Sequence, residues 1–290
     1  MVALLVIVLV LALLWVLAVR GHRNRPGMDD LWGWSYAHRG LHGNGVPENS
    51  MAAFRLALEN GYGIELALQL LKDGNLAVMH DSLLNRTTGQ AGRMEDLTTE
   101  DLKNYPLEGT QETIPPFQEV LDLFDGKAPM IIELKAADGN QAKLAETACK
   151  MLENYKGVYC IESFDPRCIA WLRKNRPDII RGQLSENFFK DRTDLSDIIK
   201  FLLTHNLLNF YTVPDFIAYQ FSTRNDTLST RLCRKLWKVQ GGSWTLRSRE
   251  DYDTAVNEGW LPIVKASGPE PGQAGKRDTK GLLQTPINCR

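Results

Sequence analysis

One feature constrains this chain more than any other: an alternation of short apolar runs with helix-periodic stretches from Trp34 to about Ala266. The apolar runs read as strands over Trp34–Ala37, Gly63–Leu70, Leu76–Met79, Met130–Leu134, Val158–Ile161, Ile179–Leu184, Leu208–Val213, Gly242–Leu246 and Leu261–Val264. Helical spacing fills Ser50–Asn60, Pro116–Phe124, Gln141–Tyr155, Pro166–Asn175, Asp194–His205, Thr227–Val239 and Arg249–Glu258. Strand, helix, strand at this spacing is the pattern of a parallel α/β fold. Roughly 230 residues carrying eight or nine strands suit one (β/α)₈ barrel, over 34–266, better than two domains. The barrel is expected to be distorted. Only Lys72-Asp73-Gly74 joins the second apolar run to the third, whereas a crossover helix needs about a dozen residues. Residues 82–115 form a long insertion with little apolar periodicity, a candidate cap over the active face. The Gly-, Pro-, Lys- and Gln-rich tail, 267–290, is expected to be disordered.

Met1 to Val19 contain no charged side chain. At about 1.5 Å per residue this run reaches roughly 28 Å, close to the ~30 Å thickness of bilayer hydrocarbon. A cleaved signal peptide carries its basic residues ahead of a shorter apolar stretch, whereas here Arg20, Arg23 and Arg25 follow it. The segment therefore reads as a retained N-terminal transmembrane helix over 1–19, with a polar linker over 20–33. The basic flank places the protein in the cell membrane with the barrel on the cytoplasmic side. Across the chain 34 Lys and Arg balance 35 Asp and Glu, a net charge of −1 that argues against a nucleic-acid partner. The five cysteines are odd in number and show no C-x-x-C, and the five histidines do not pair with them at ligand spacing. No disulfide framework or zinc site is expected.

Chemistry-bearing residues gather at the ends of predicted strands. Ala37-His38-Arg39-Gly40 closes the first; a lone histidine there could simply cap the strand, but Arg39 adds a planar fork suited to phosphate or carboxylate. Pro47-Glu48-Asn49-Ser50 opens a helix, where Glu48 could serve only as a favourable N-terminal charge and Asn49 or Ser50 as the cap. In Ile64-Glu65-Leu66-Ala67, period-two alternation puts Glu65 and Ala67 on one face. A carboxylate there is costly unless paired or metal-bound. His80 ends Val78-Met79-His80-Asp81, and Glu133 shares a face with Lys135 in Ile131-Ile132-Glu133-Leu134-Lys135. A mutual ion pair is the plain account of those two, although such pairs seldom repay desolvation inside a barrel. Strand C-termini are where barrel active sites form.

In this order the chain resembles the glycerophosphodiester phosphodiesterase family. The matching stretches are His38-Arg39-Gly40, Pro47-Glu48-Asn49-Ser50 with Ala53-Phe54, Gly63-Ile64-Glu65, Lys72-Asp73-Gly74, His80-Asp81 and Arg86-Thr87-Thr88-Gly89. They continue through Leu97-Thr98, Ile114-Pro115, Glu133-Leu134-Lys135, Ser163-Phe164 and Trp244-Thr245. The resemblance implies a distorted TIM barrel, hydrolysis of glycerophosphodiesters to sn-glycerol 3-phosphate and an alcohol, and a divalent cation, Ca²⁺ or Mg²⁺. It makes His38 and His80 the acid–base pair and Arg39 a phosphate ligand with Lys135 beside it. Glu65 and Glu133 match the metal ligands, with Glu48 near them.

Two departures stand out. Where the family pattern reads Glu-x-Asp, this chain has Glu65-Leu66-Ala67, which implies weak metal binding. Where members close a late strand with Thr-Asp, it has Ile263-Val264-Lys265-Ala266, which puts the end of the barrel in question. The alternative reading is a catalytically weakened barrel that binds phosphodiesters or lipid headgroups without efficient turnover.

Overall fold

A computed structural model describes residues 1–23, 25–137, 139–191 and 194–265. Eight parallel strands close a barrel: β1 (Tyr36–His38), β2 (Gly63–Leu70), β4 (Met130–Leu134), β5 (Tyr159–Ser163), β6 (Arg181–Ser185), β7 (Phe216–Gln220), β8 (Gln240–Leu246) and β9 (Trp260–Val264). Closure comes from β1, which pairs with β2 through His38 opposite Glu65 and with β9 through Ala37 opposite Val264. The unusual sequence at Ile263-Val264 therefore still completes the ring. The short Lys72-Asp73-Gly74 connection makes a hairpin, with Gly74 at φ +84° and β3 (Leu76–Val78) antiparallel to β2. This is the expected distortion.

Alternation along the strands sorts the core into two layers. Ile64, Leu66, Leu68, Met130, Ile132, Leu134 and Ile161 face outward against α3 (Met51–Glu59), α4 (Phe117–Phe124), α5 (Gln141–Met151) and α6 (Pro166–Asn175). Tyr36, Ile131, Cys160, Phe216, Leu261 and Ile263 face inward and form an apolar floor near the strand N-termini. Residues 20–33, read as a linker, do not lie free: α2 (Met28–Leu31) packs Met28 and Leu31 into that floor. Residues 82–115 build a small core of their own, in which Leu84, Met94, Leu97, Leu102, Leu107 and Ile114 pack on Met79. Among the described residues Cys149, Cys160, Cys168 and Cys233 are buried free thiols.

Two expectations fail here. The run Leu208–Val213 is not a strand but the one-turn helix α8 (Asn209–Thr212), in which Thr212 N–H donates to the Leu208 carbonyl. The strand follows it as β7. The apolar N-terminal run forms α1 (Val2–Ala18), which is 17 residues long, and among the described residues no helix is long and apolar enough to cross a membrane. The last turns of the run belong to the barrel instead of to lipid. Val19 is fully buried with Ile217, Cys233 and Val239, and Trp15 Nε1 donates to Ser229 Oγ at 2.9 Å. The tail 267–290 lies outside the described residues.

The direction of α1 follows from those contacts. Val19 sits beside Ile217, near the start of β7, and His22 N–H donates to the Pro214 carbonyl just before that strand. Trp15 packs edge-on to His205, which follows α7 (Asp197–Thr204). The carbonyls of Leu203 and Thr204 accept from Ser185 Oγ and Tyr219 Oη, at the C-terminal ends of β6 and β7. Going from Val19 back to Trp15, α1 therefore climbs the flank toward the end of the barrel where the strands finish.

Candidate active site

All seven residues singled out in the sequence meet at the strand C-termini. His38 ends β1, and its Nε2 lies 3.9 Å from Glu65 Oε2. The next residue, Arg39, takes the left-handed conformation at φ +59°, which lets its backbone N–H donate to the same carboxylate oxygen at 3.0 Å. That turn sends the Arg39 guanidinium to Glu48, with Nη1 donating to Oε1 at 2.8 Å. Ser50, not Asn49, caps the following helix by accepting from the Ala53 N–H at 3.1 Å. From the other side of the site, Lys135 Nζ donates to His80 Nε2 at 2.9 Å and lies 2.8 Å from Glu133 Oε1. The site is one connected network.

Its electrostatics follow from burial. His38 is held well below the ordinary histidine range by desolvation, then by the charges of Arg39, His80, His42 and Lys135. His80 is also lowered by burial, although the hydrogen bond to Asp81 works the other way. Both rings are therefore neutral at pH 7. The 2.6 Å contact between His80 Nδ1 and Asp81 Oδ1 puts the proton on Nδ1 and leaves the Nε2 lone pair facing Lys135. Burial and the neighbouring Glu133 charge push Glu65 up to about 7. Burial pushes Glu48 upward too, but hydrogen bonds and charge from Arg86 and Arg39 bring it below its ordinary value.

Three residues outside the seven also belong here. Arg86, from the insertion, donates to Glu48 at 2.5 Å and also pairs with Asp81, so one flank of residues 82–115 borders the site. Phe164 lies beneath the Lys135 ammonium, 5.5 Å from nitrogen to ring centre. Glu162, only 1 % exposed on β5, raises a third carboxylate among Glu65 and Glu133. It obeys the signal that exposed Glu65, an acid at an inward strand position, but lies one residue past the predicted strand end at Ile161.

Carboxylates are hard oxygen donors, which suit Ca²⁺ or Mg²⁺ and leave waters and substrate oxygens to complete the shell. Among the described residues no three His, Cys, Asp or Glu side chains are already gathered as a finished metal site. Glu65 and Glu133 are nevertheless 3 % and 4 % exposed, and burying such acids so deeply with a single lysine between them suits a cation-binding site.

Two histidines, a guanidinium and inward carboxylates thus gather at one end of a (β/α)₈ barrel, an arrangement with the groups that acid–base chemistry on an anion requires. The chain belongs to the glycerophosphoryl diester phosphodiesterase family, whose sequence model matches residues 38–258. A glycerophosphodiester phosphodiesterase of Bacillus altitudinis is 39% identical over 155 residues, 50% of this chain and 63% of that protein. Another, from Caldanaerobacter subterraneus, is 35% identical over 158 residues, 51% of the chain and 65% of that protein. The chain thus spans just under two thirds of the length of these two relatives. Glycerophosphodiester phosphodiesterase 1 of Bos taurus is 27% identical over 261 residues, 78% of the chain and 76% of that protein. In fold, the chain is similar to an Oleispira antarctica phosphodiesterase solved in complex with the product sn-glycerol-3-phosphate. The TM-score is 0.66 at 21% identity, covering 81% of this chain and 93% of that one.

Proposed function

We propose that the protein hydrolyses glycerophosphodiesters to sn-glycerol 3-phosphate and an alcohol. The observation that carries this reading is the gathering of His38, His80 and the Arg39 fork at one end of the barrel, with His38 beside Glu65 and His80 held by Asp81 and Lys135. One histidine accepts the proton of a glycerol hydroxyl as that oxygen attacks the neighbouring phosphorus. The other, which must first take up a proton to act as an imidazolium, donates it to the departing alkoxide, and water then opens the cyclic phosphate with the roles reversed. Because the attacking hydroxyl is part of the substrate, much of the positional entropy cost is already met. Asp81 fixes the His80 ring, while Arg39 and Lys135 orient the phosphoryl oxygens. Glu65 and Glu133, near Glu48, would hold a divalent cation, which would supply charge neutralisation at the phosphate.

Ala67 supports a second reading, a barrel that binds the diester with little turnover, since a buried methyl faces the interior where the family pattern carries a carboxylate. The two separate in one experiment. The full-length protein is supplied with glycerophosphocholine and either Ca²⁺ or Mg²⁺, and sn-glycerol 3-phosphate is measured. Product formation supports the hydrolase; no product with either metal, alongside a ligand-raised melting temperature, supports the binding module.

We further propose that the protein associates with the cell membrane through α1, whose exposed residues 2–14 carry no charge and which is followed by Arg20 and Arg23. Cell fractionation should recover the full chain with membranes and a variant lacking residues 2–14 away from them; an unchanged distribution would overturn the assignment.

A further inference from the structure

We propose that Glu162 is a cation ligand of this site, supplying from β5 the carboxylate that position 67 lacks on β2. The inference rests on the divalent-cation reading above and extends it to a residue outside the family's pattern. Strand register places the two positions on one rung: Ala67 pairs with Glu133, and Glu133 pairs with Glu162. Two strand spacings separate the ends of that rung, roughly 10 Å between backbones. A glutamate can project several ångströms across that gap.

Glu162 points inward. Its neighbour Ile161 packs in the outer layer, while Cys160, two residues earlier, lies in the apolar floor. The carboxylate thus stands above the floor, on the side of the histidines. Its Oε2 is buried without a hydrogen-bond partner. Lys135 is the cation that acts on it electrostatically, and that ammonium already contacts Glu133 and His80. Glu65 and Glu133 both repel it. A purely structural acid in this place has no evident gain: ionised it competes with Glu133 for the charge of Lys135, and its buried Oε2 has no hydrogen-bond partner. A leucine or methionine would fill the space without that penalty. A hard cation shared with Glu65 and Glu133 satisfies all three groups.

The test is cation binding by the full-length protein without substrate, measured by titration calorimetry with Ca²⁺ and Mg²⁺ and by thermal melting in metal and in EDTA. Glu162→Gln should weaken binding on the order of tenfold or more and lower the metal-dependent gain in Tm. Its Tm in EDTA should equal or exceed that of the parent. Ala67→Asp in the Glu162→Gln background should restore affinity, because it returns an inward carboxylate to the same rung. Glu65→Gln is the control for the site itself. Unchanged affinity in Glu162→Gln alongside lost affinity in Glu65→Gln overturns the role of Glu162 and leaves the cation reading standing. No binding by the parent protein at millimolar metal overturns both. A double variant that binds no better than Glu162→Gln alone overturns the equivalence with position 67.

Discussion

The two ends of this barrel bury charge in opposite ways. Near the strand N-termini, Arg181 and Asp215 are almost wholly buried, and one acid is shared by several basic side chains. Asp215 accepts the Arg181 backbone N–H at 2.9 Å and lies 3.6 Å from the Arg181 guanidinium. It also contacts His22 Nδ1 at 2.6 Å, while Arg181 donates to the Val213 carbonyl at 2.9 Å. Near the strand C-termini, three inward acids share one lysine and an arginine backbone N–H. The first cluster ties segments of the chain together; the second gathers like charge, and that is the physical ground for proposing that its acids bind a cation.

The sharpest way to break the comparison is to remove the acid–base pair. His38→Ala and His80→Ala should each lower turnover about 10²- to 10⁴-fold while the melting temperature stays near that of the parent. A near-normal rate in either variant returns that histidine to a strand cap.

At the opposite end, Asp215→Ala should destabilise the fold by about 3–5 kcal/mol, since it leaves the buried Arg181 unpaired. Denaturant unfolding would read it, and a loss below 1 kcal/mol would mean the cluster is not structural.

Glu65 should behave in the reverse sense. In the folded chain it keeps its proton up to about pH 7, whereas its ordinary value is 4.5. The folded state thus holds a proton that the unfolded state has released, and this group's contribution to stability falls as pH rises through that window. In EDTA, Glu65→Gln should therefore melt a few degrees above the parent at pH 8 and close to it at pH 4.5, although its catalysis is lost. A lower Tm at pH 8 would count against an unbalanced site.

Arg39→Lys is the smallest of these changes, on the order of a tenfold loss in kcat/KM, because an ammonium keeps the charge but not the fork held by Glu48. A rate equal to the parent's would show that charge alone suffices there.

Much of this was legible in the sequence because the site residues lie where two periodicities agree. His38, Glu65 and Glu133 fall at inward positions of runs that are apolar on the alternate side, so the acid or imidazole stands out. The Lys72-Asp73-Gly74 connection was too short for a crossover helix, which signalled the distortion that the structure realises as the antiparallel β2–β3 hairpin. The misplaced strand at Leu208–Val213 shows the limit: a short run of aromatic, β-branched and polar residues ahead of Pro214 fits a strand and a helical turn equally well. Pro214 and Asp215 separate that turn from the true strand, in which Phe216 and Ala218 face the floor. Glu162 was missed by a single residue at a strand boundary, where periodicity fades. The course of α1 depends on side chains more than 180 residues away, including Phe201, His205 and Ser229. No local pattern reports such contacts.

That course bears on how substrate would arrive. Since α1 climbs the barrel wall toward the strand C-termini, the exposed residues Val2 to Leu14 extend on the side where the histidines open. Phe189, Ile198 and Leu228, all exposed, lie in segments that follow the C-terminal ends of β6 and β7. The exposed apolar surface of α1 and the mouth of the barrel thus lie at one end of the molecule, and a surface that engages the first would bring its own components within reach of the second.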